Sequence, residues 1–401
     1  MSVRSIALSL LGLCLLSVGM VLGIPGASAA PRIGVATMQP GEVFFERFGH
    51  DAIVVQDPLS GRATSYNFGF FDPTEPDFNA NFARGVMMYY LVALPLEQDL
   101  ANYQAEGRGV SIQWLNLPPA QAQALAETLA RRAQPDQARY RYEYFTNNCA
   151  TQVRDTLDAA MGGALKRQFA GRSRGNTYRT ESVRLASPAL WMWVGFDLGL
   201  GPYADRPLSR WDEGFVPMRL AAMLAEAKLP DGTPLVSRTE QVLPHRIAPE
   251  PPEAARPWWP WLLAGSGVAL ALVLLARKTP RAVLALALPL WLLCGLGGLT
   301  LLYLWGITEH QAAWANRNLL LLNPLCLALL VGAIAPLRGR AAAGWWRVTL
   351  GIVALSGLIA WVLHWFPFGF QDNRAWVALL LPIHLALAYV FGRGKARVGA
   401  T

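Results

Sequence analysis

Residues Tyr144 to Asp155 read Tyr-Phe-Thr-Asn-Asn-Cys-Ala-Thr-Gln-Val-Arg-Asp, and the reading of this stretch governs the rest. A strand-like run over Tyr140–Phe145 stops at the polar turn Thr146-Asn147-Asn148. The turn supplies an N-cap, and apolar residues then recur at Val153 and Leu157 with helical spacing. A helix over Ala150–Ala160 is therefore expected, opening at or beside Cys149. A thiol on the first helical turn meets unpaired backbone N–H groups and the positive end of the helix dipole. Both favour thiolate, and the same N–H groups can hold an oxyanion.

Outward from this junction two hydrophobic periods alternate. Strand-like runs lie at Ala52–Val55, Ala63–Phe71, Met87–Leu94 and Val110–Leu117, and the turn Asp57–Gly61 predicts a hairpin between the first two. Helical patterns lie at Ala120–Arg132, Glu181–Leu198 and Met218–Lys228. The expectation is an α+β domain, an antiparallel sheet with helices before and after it, long enough at about 220 residues for a full core.

The remainder is built for lipid. Of 401 residues, 53% are hydrophobic and only 15% charged, well below soluble proteins. The first 29 residues resemble a secretory signal, with Arg4, an apolar run over Ile6–Leu22 and the small-residue site Ala27-Ser28-Ala29. An uncleaved anchor is the alternative. Residues 30–246 then form the exported domain, and the proline-rich 247–257 a stiff linker. Five apolar stretches fill 258–392, at Trp258–Ala276, Ala282–Trp305, Asn318–Leu337, Val348–Phe366 and Ala375–Phe391, each near the ~20 residues a span needs. A tail of 393–401 closes the chain.

Charge sets the orientation. Arg277, Lys278 and Arg281, then Arg338, Arg340 and Arg347, then Arg393, Lys395 and Arg397 occupy alternate connections, which places those on the cytoplasmic side and residues 30–246 outside. The net charge of +8 comes from this region, which has 11 basic residues against Glu309 and Asp372 after Pro257. Residues 31–257 are slightly acidic, so nothing supports a nucleic-acid partner.

Cys149 is the one cysteine of the mature exported domain, in a compartment where thiols are normally paired. A small buried residue is the plain account; a nucleophile is the other, and it needs a base. The domain holds two histidines. His245 sits beside the linker. His50 opens a strand in Phe48-Gly49-His50-Asp51-Ala52-Ile53, after a glycine that admits a close neighbour. Asn67 and Tyr66, on opposite faces of the next strand, are candidates to orient the imidazole, and Asn67 is preferred. Asn148 is a candidate oxyanion donor, though capping alone explains it. Arg84 is a candidate for phosphate, or a solvated arginine. Among outer-loop residues, His310 and Arg317 are candidates for a lipid headgroup, or merely interfacial.

At FGHDAIVV around His50, YNFGFFD around Asn67, FARGVMMYYL after Arg84, NNCATQVRD around Cys149 and GPYADRPLSRWDEGFVP over Gly201–Pro217, the chain resembles the Lnb-type bacterial lipoprotein N-acyltransferases. Its apolar tail with polar outer ends is similar too. The order of histidine strand before cysteine helix resembles the permuted papain-like fold. The resemblance implies transfer of a fatty acyl chain from a membrane phospholipid, through a Cys149 thioester, to the α-amine of a diacylglyceryl-cysteine lipoprotein. A membrane-anchored cysteine amidase or peptidase, a phospholipase, and a non-enzymatic receptor are the rival readings. No metal-ligand cluster or nucleotide motif occurs in the sequence, and no cofactor is expected.

Overall fold

The computed structural model describes residues 30–254, 256–366 and 368–392. The signal sequence and the cytoplasmic tail expected from the sequence lie outside the described residues. The exported domain is built on strands β1 (Arg32–Met38), β2 (His50–Gln56), β3 (Ala63–Phe70), β4 (Met88–Pro95), β5 (Val110–Leu115), β6 (Arg139–Arg141) and β9 (Val236–Leu243). They form one antiparallel sheet in the order β6-β4-β3-β2-β1-β5-β9, and β7 (Ser173–Thr177) pairs with β8 (Pro207–Ser209) separately.

The helices of this domain are α1 (Phe78–Arg84), α2 (Leu96–Glu106), α3 (Pro119–Arg132), α4 (Cys149–Ala160), α5 (Ala164–Phe169), α6 (Tyr178–Ala186), α7 (Leu190–Gly199), α8 (Arg210–Glu213) and α9 (Pro217–Glu226). Alternation along the strands gives the sheet two covered faces. Ile33, Val35, Ile53, Phe68 and Leu91 pack with Leu125 and Leu129 of α3, Val153 and Leu157 of α4 and Leu220 of α9. Ala36, Met38, Ala52, Val54 and Ile112 face the other way, onto Leu96, Leu100 and Tyr103 of α2.

Three departures from the sequence reading have physical causes. β1 lies between β2 and β5 and is buried at six of its seven positions, so it lacks the alternation that marks a half-exposed strand. The single helix expected over Glu181–Leu198 is two, α6 and α7, because Pro188 cannot continue a helix. In the C-terminal region, α10 (Trp259–Ala276), α11 (Pro280–Gly306), α13 (Gly344–Val362, extended by a short 3-10 turn to Trp365) and α14 (Arg374–Gly392) are long and apolar enough to cross a membrane. The third expected span, Asn318–Leu337, instead comprises a 3-10 turn at Arg317–Leu320 and the 12-residue α12 (Cys326–Leu337). A helix of that length rises only about 18 Å, short of a ~30 Å hydrocarbon core. Of the five expected spans, four are full-length candidates among the described residues and the remaining one coincides with one short apolar helix.

Polar side chains join the two regions. The last carbonyls of α7 have no intrahelical donors. Asn316 Nδ2 serves Leu198, Gly199 and Leu200 O at 2.7, 2.9 and 3.1 Å, and Asn318 Nδ2 adds a bond to Leu198 O. Gln371 Nε2 donates to Asn316 Oδ1 at 2.9 Å, and Asn373 Nδ2 to Asn318 Oδ1 at 2.8 Å. Beneath them the buried Arg179 binds Asp205 and the Asp197 and Leu200 carbonyls. Removing a donor here strands buried acceptors at ~1–3 kcal/mol. Asn316→Ala is expected to lower the melting temperature of the detergent-solubilised protein by about 3–8 °C and to speed proteolysis at 247–257; an unchanged melting curve would refute the clasp.

Candidate active site

α4 begins where the sheet's β2 starts and its β3 ends. Asn148 caps it by a reciprocal pair: its Oδ1 accepts from Thr151 N at 2.9 Å, and Thr151 Oγ1 accepts from Asn148 N at 2.7 Å. The Asn148 amide also donates to Tyr144 O and Phe215 O, both at 2.9 Å. Both of its hydrogens are thereby spent on backbone carbonyls. The candidate oxyanion role for Asn148 is corrected: the side chain holds the cysteine in place and has no donor left for substrate.

Two glycines admit the helix end. Gly49, at φ +78°, lets the chain turn into β2 where a Cβ would lie 2.8 Å from Met38 O. Gly69 forms a bulge in β3 at φ +94°, and a Cβ built there would meet the Cys149 Cβ and the Tyr142 ring, each at 3.7 Å. The Cys149 thiol is thus seated over the open end of the β2–β3 pair. Backbone N–H groups of Asp51, Ala150 and Cys149 itself are directed at the sulfur. Asp51 immediately follows His50, so thiol and imidazole flank one peptide group. No hydrogen bond joins the two side chains among the described residues.

His50 Nε2 lies 3.0 Å from Asn67 Oδ1. Asn67 Nδ2 donates to Asp99 Oδ2 at 3.0 Å and to Ser65 Oγ at 2.9 Å, while Ser65 Oγ donates to the same Asp99 oxygen at 2.5 Å. These bonds fix the amide with its oxygen toward the ring. An amide oxygen only accepts, so Nε2 carries the hydrogen and Nδ1 is the basic nitrogen. Asp99, on the first turn of α2, is the site residue that sequence reasoning missed. A buried carboxylate on the core-facing side of an otherwise apolar helix face was its one signal.

The electrostatics reverse one expectation. Burial pushes the Cys149 thiol up to about 12, the nearby Asp51 carboxyl adds to this, and the three N–H groups offset it only in part. Desolvation outweighs the helix dipole. Burial also drives His50 down to about 4, assisted by the positive charge of Arg108 and opposed by Asn67 and Asp99. The expectation of a preformed thiolate is therefore corrected to a neutral thiol beside a neutral imidazole. Asp51 itself, fully buried and accepting from Thr37 Oγ1 at 2.7 Å, is pushed up to about 7 by burial.

The other candidates are dispersed. Tyr66 packs into the core with Ile53 and Phe68, on the face opposite Asn67, so of the two it is Asn67 that meets His50. Arg84 is exposed and donates to Ala80 O and Asn81 Oδ1 of its own helix. Arg317 binds Leu363 O and Phe368 O and so ties two outer loops together. His310 is half-buried against the exported domain, its Nδ1 3.2 Å from the Tyr144 hydroxyl and its ring stacked on Tyr144.

An α+β domain with a cysteine at a helix start and a histidine at a strand start, carried on apolar helices, defines a multi-pass membrane protein with a thiol-bearing extracytoplasmic site. Residues 29–186 match the Lnb N-terminal periplasmic domain and residues 257–395 the Lnb transmembrane domain. The chain belongs to the Lnb-type family, a family of lipoprotein N-acyltransferase type. No curated protein and no solved structure matches it.

Two measurements test this electrostatic picture. Iodoacetamide should alkylate Cys149 far more slowly than free cysteine at pH 8, with a rate that keeps climbing beyond pH 10; a plateau below pH 8 would mean a thiolate. Asp51 keeps its proton in the folded state up to about pH 7, against 3.8 as an ordinary carboxyl. The folded form therefore holds the extra proton between those values, so its contribution is complete below pH 4 and fades as pH rises through 7. Asp51→Asn should flatten the fall in stability that denaturant melts detect between pH 4.5 and 7.5.

Proposed function

We propose that the protein is a lipoprotein N-acyltransferase that moves a fatty acyl chain from a phospholipid to the α-amine of a diacylglyceryl-cysteine lipoprotein, by way of a Cys149 thioester. The Asp99–Asn67–His50 chain carries this reading, because it leaves Nδ1 as a free base one peptide from the thiol seat. The order of histidine strand and cysteine helix supports a permuted papain-like assignment for the domain. The basic connections support a fifth crossing made by the 3-10 turn and α12, with the exported domain in the periplasm and the bundle in the bacterial cytoplasmic membrane.

The steps follow from the neutral pair. His50 Nδ1 takes the thiol proton as sulfur attacks the ester carbonyl. The N–H groups of Asp51, Ala150 and Cys149 are placed to hold the developing negative charge. Collapse breaks the ester C–O bond; the imidazolium returns its proton to the departing alkoxide, giving lysophospholipid and thioester. The lipoprotein amine then attacks the thioester and loses its proton to His50, and the sulfur leaves as thiolate and is reprotonated. Asn67 keeps the ring in the productive tautomer throughout.

Incubation with phosphatidylethanolamine vesicles should yield an acyl adduct on Cys149, visible by mass spectrometry and labile to hydroxylamine. Cys149→Ala should abolish it and His50→Ala reduce its rate by about 10²–10⁴-fold. Added diacylated lipopeptide should appear triacylated. Peptide cleavage without any acyl-enzyme would favour the amidase reading, and lipopeptide left diacylated beside free fatty acid would favour the phospholipase.

A further inference from the structure

The exported domain exposes aromatic surface that its own core does not explain. α1 buries none of its residues, yet Phe78 and Phe82 stand one turn apart on the same side, with Phe82 37% exposed. The rings connect. Phe82 stacks on Phe78 at 6.4 Å, Phe78 on Phe71 at 5.5 Å, and Phe71 leans on Tyr89 at 5.2 Å. Tyr89 meets Tyr142 at 4.6 Å, and Tyr142 borders the Gly69 gap on which the Cys149 Cβ also rests. A continuous strip of rings therefore leads from the exposed Phe82, through the half-buried Phe78 and Phe71, to the buried Tyr89 and the thiol.

Both flanks of its outer end join the membrane region. The end of α1 is bound to the loop after α11, where Glu309 N donates to Arg84 O at 2.7 Å, and Trp305 and Ile307 stand exposed at the outer end of α11. On the other flank Phe45, 58% exposed, meets Phe71 edge-on, and its neighbour Phe44 stacks on Trp191 of α7. Two residues along α7, Trp193 packs on Trp261 and Trp376 at the outer ends of α10 and α14. Those span ends mark the level of the bilayer surface, so the exposed edge of the strip meets lipid rather than water.

We infer that this strip is the acyl-chain track of the enzyme: a fatty acyl chain of an outer-leaflet phospholipid lies along Phe82, Phe78, Phe71 and Tyr89 with its ester carbonyl at Cys149. The inference rests on the acyl-transfer reading and adds to it the route by which the donor chain reaches the thiol and the residues that line it. Continuity with the span ends identifies the occupant as lipid. Termination at the nucleophile identifies it as the chain that carries the reacting carbonyl, hence the donor rather than the anchored chains of the acceptor.

The test uses full-length Cys149→Ala protein in vesicles of phosphatidylethanolamine and phosphatidylglycerol. These carry a phosphatidylethanolamine whose acyl chain bears a terminal diazirine. Irradiation should place adducts on the peptide containing Phe78 and Phe82, at the end of the strip remote from Cys149. The double variant Phe78→Glu, Phe82→Glu, whose changes fall on a helix without buried residues, should reduce them about tenfold or more. Adducts confined to the transmembrane helices, or unchanged by the two glutamates, would overturn the inference. So would loss of self-association in the double variant with adducts unaltered, which would assign the face to a protein. Because the readout needs no turnover, strip adducts without Cys149 acylation of the wild type would sink the acyl-transfer reading alone, and the reverse result would sink the track alone.

Discussion

The seat of the Cys149 sulfur, over Gly69 and against the N–H of Asp51, constrains the remainder of the site. For a helix to begin there, its first turn must be capped from within, β3 must bulge through a residue at φ +94°, and the approach to β2 must turn through a left-handed residue. Asn148, Gly69 and Gly49 meet those three demands. The same enclosure withdraws the thiol from water. A helix dipole contributes on the order of 1 kcal/mol near a terminus, whereas burial shifts of several pKa units are common, so desolvation decides the resting protonation state. Burial favours the neutral form of the thiol, the imidazole and the Asp51 carboxyl alike: thiol and imidazole are neutral together from about pH 4 upward, and only the carboxyl gives up its proton near neutrality.

Membrane attachment is a separate problem with a separate solution. The exported domain does not rest on the helices by apolar contact alone. The bare carbonyl end of α7 is filled by amides from two outer loops, and Asp197 accepts from Trp376 Nε1 at 2.9 Å. Amides suit this role because they donate without bringing a charge to be desolvated. The outcome is a fixed height for the sheet above the span ends. It also gives the polar outer loops a structural role: Asn316, Asn318, Gln371 and Asn373 face protein, and Arg317, a candidate either for a headgroup or for plain interfacial polarity, braces one loop against the other.

Much of this architecture is legible from residue order. The Thr-Asn-Asn turn before Cys149, the Pro119 start of α3 and the hairpin at Asp57–Gly61 are local signals, and α3, α4 and the hairpin strands appear within a residue or two of their expected bounds, whereas the strand expected over Tyr140–Phe145 is only the three-residue β6. What escaped depends on tertiary context. β1 shows no alternation because both of its faces are covered. β9 has the alternation of neither face, because it is an edge strand exposed along most of its length. Asp99 cannot be joined to Asn67 from sequence, since 32 residues and a strand pairing separate them. The α12 region misleads for the opposite reason: hydropathy over Asn318–Leu337 is continuous, while Pro324 and the capping bond from Leu325 N to Asn323 Oδ1 delay the helix to Cys326.

The neutral resting pair bears on why a thiol would serve an acyl carrier at a lipid surface. A standing thiolate in the periplasm is open to oxidation and to any soluble electrophile. A thiol held near 12 becomes a nucleophile only when a base removes its proton as the new bond forms, and His50, neutral from about pH 4 upward, is available as that base across the physiological range. Reactivity then depends on a carbonyl arriving at the N–H groups around the sulfur. An acyl chain lying on the aromatic strip would bring that carbonyl and, by covering the gap at Gly69, would also exclude the water that competes with an amine for the thioester. In this arrangement the apolar contact that recognises the donor and the chemical step that consumes it are coupled through one displaced patch of solvent.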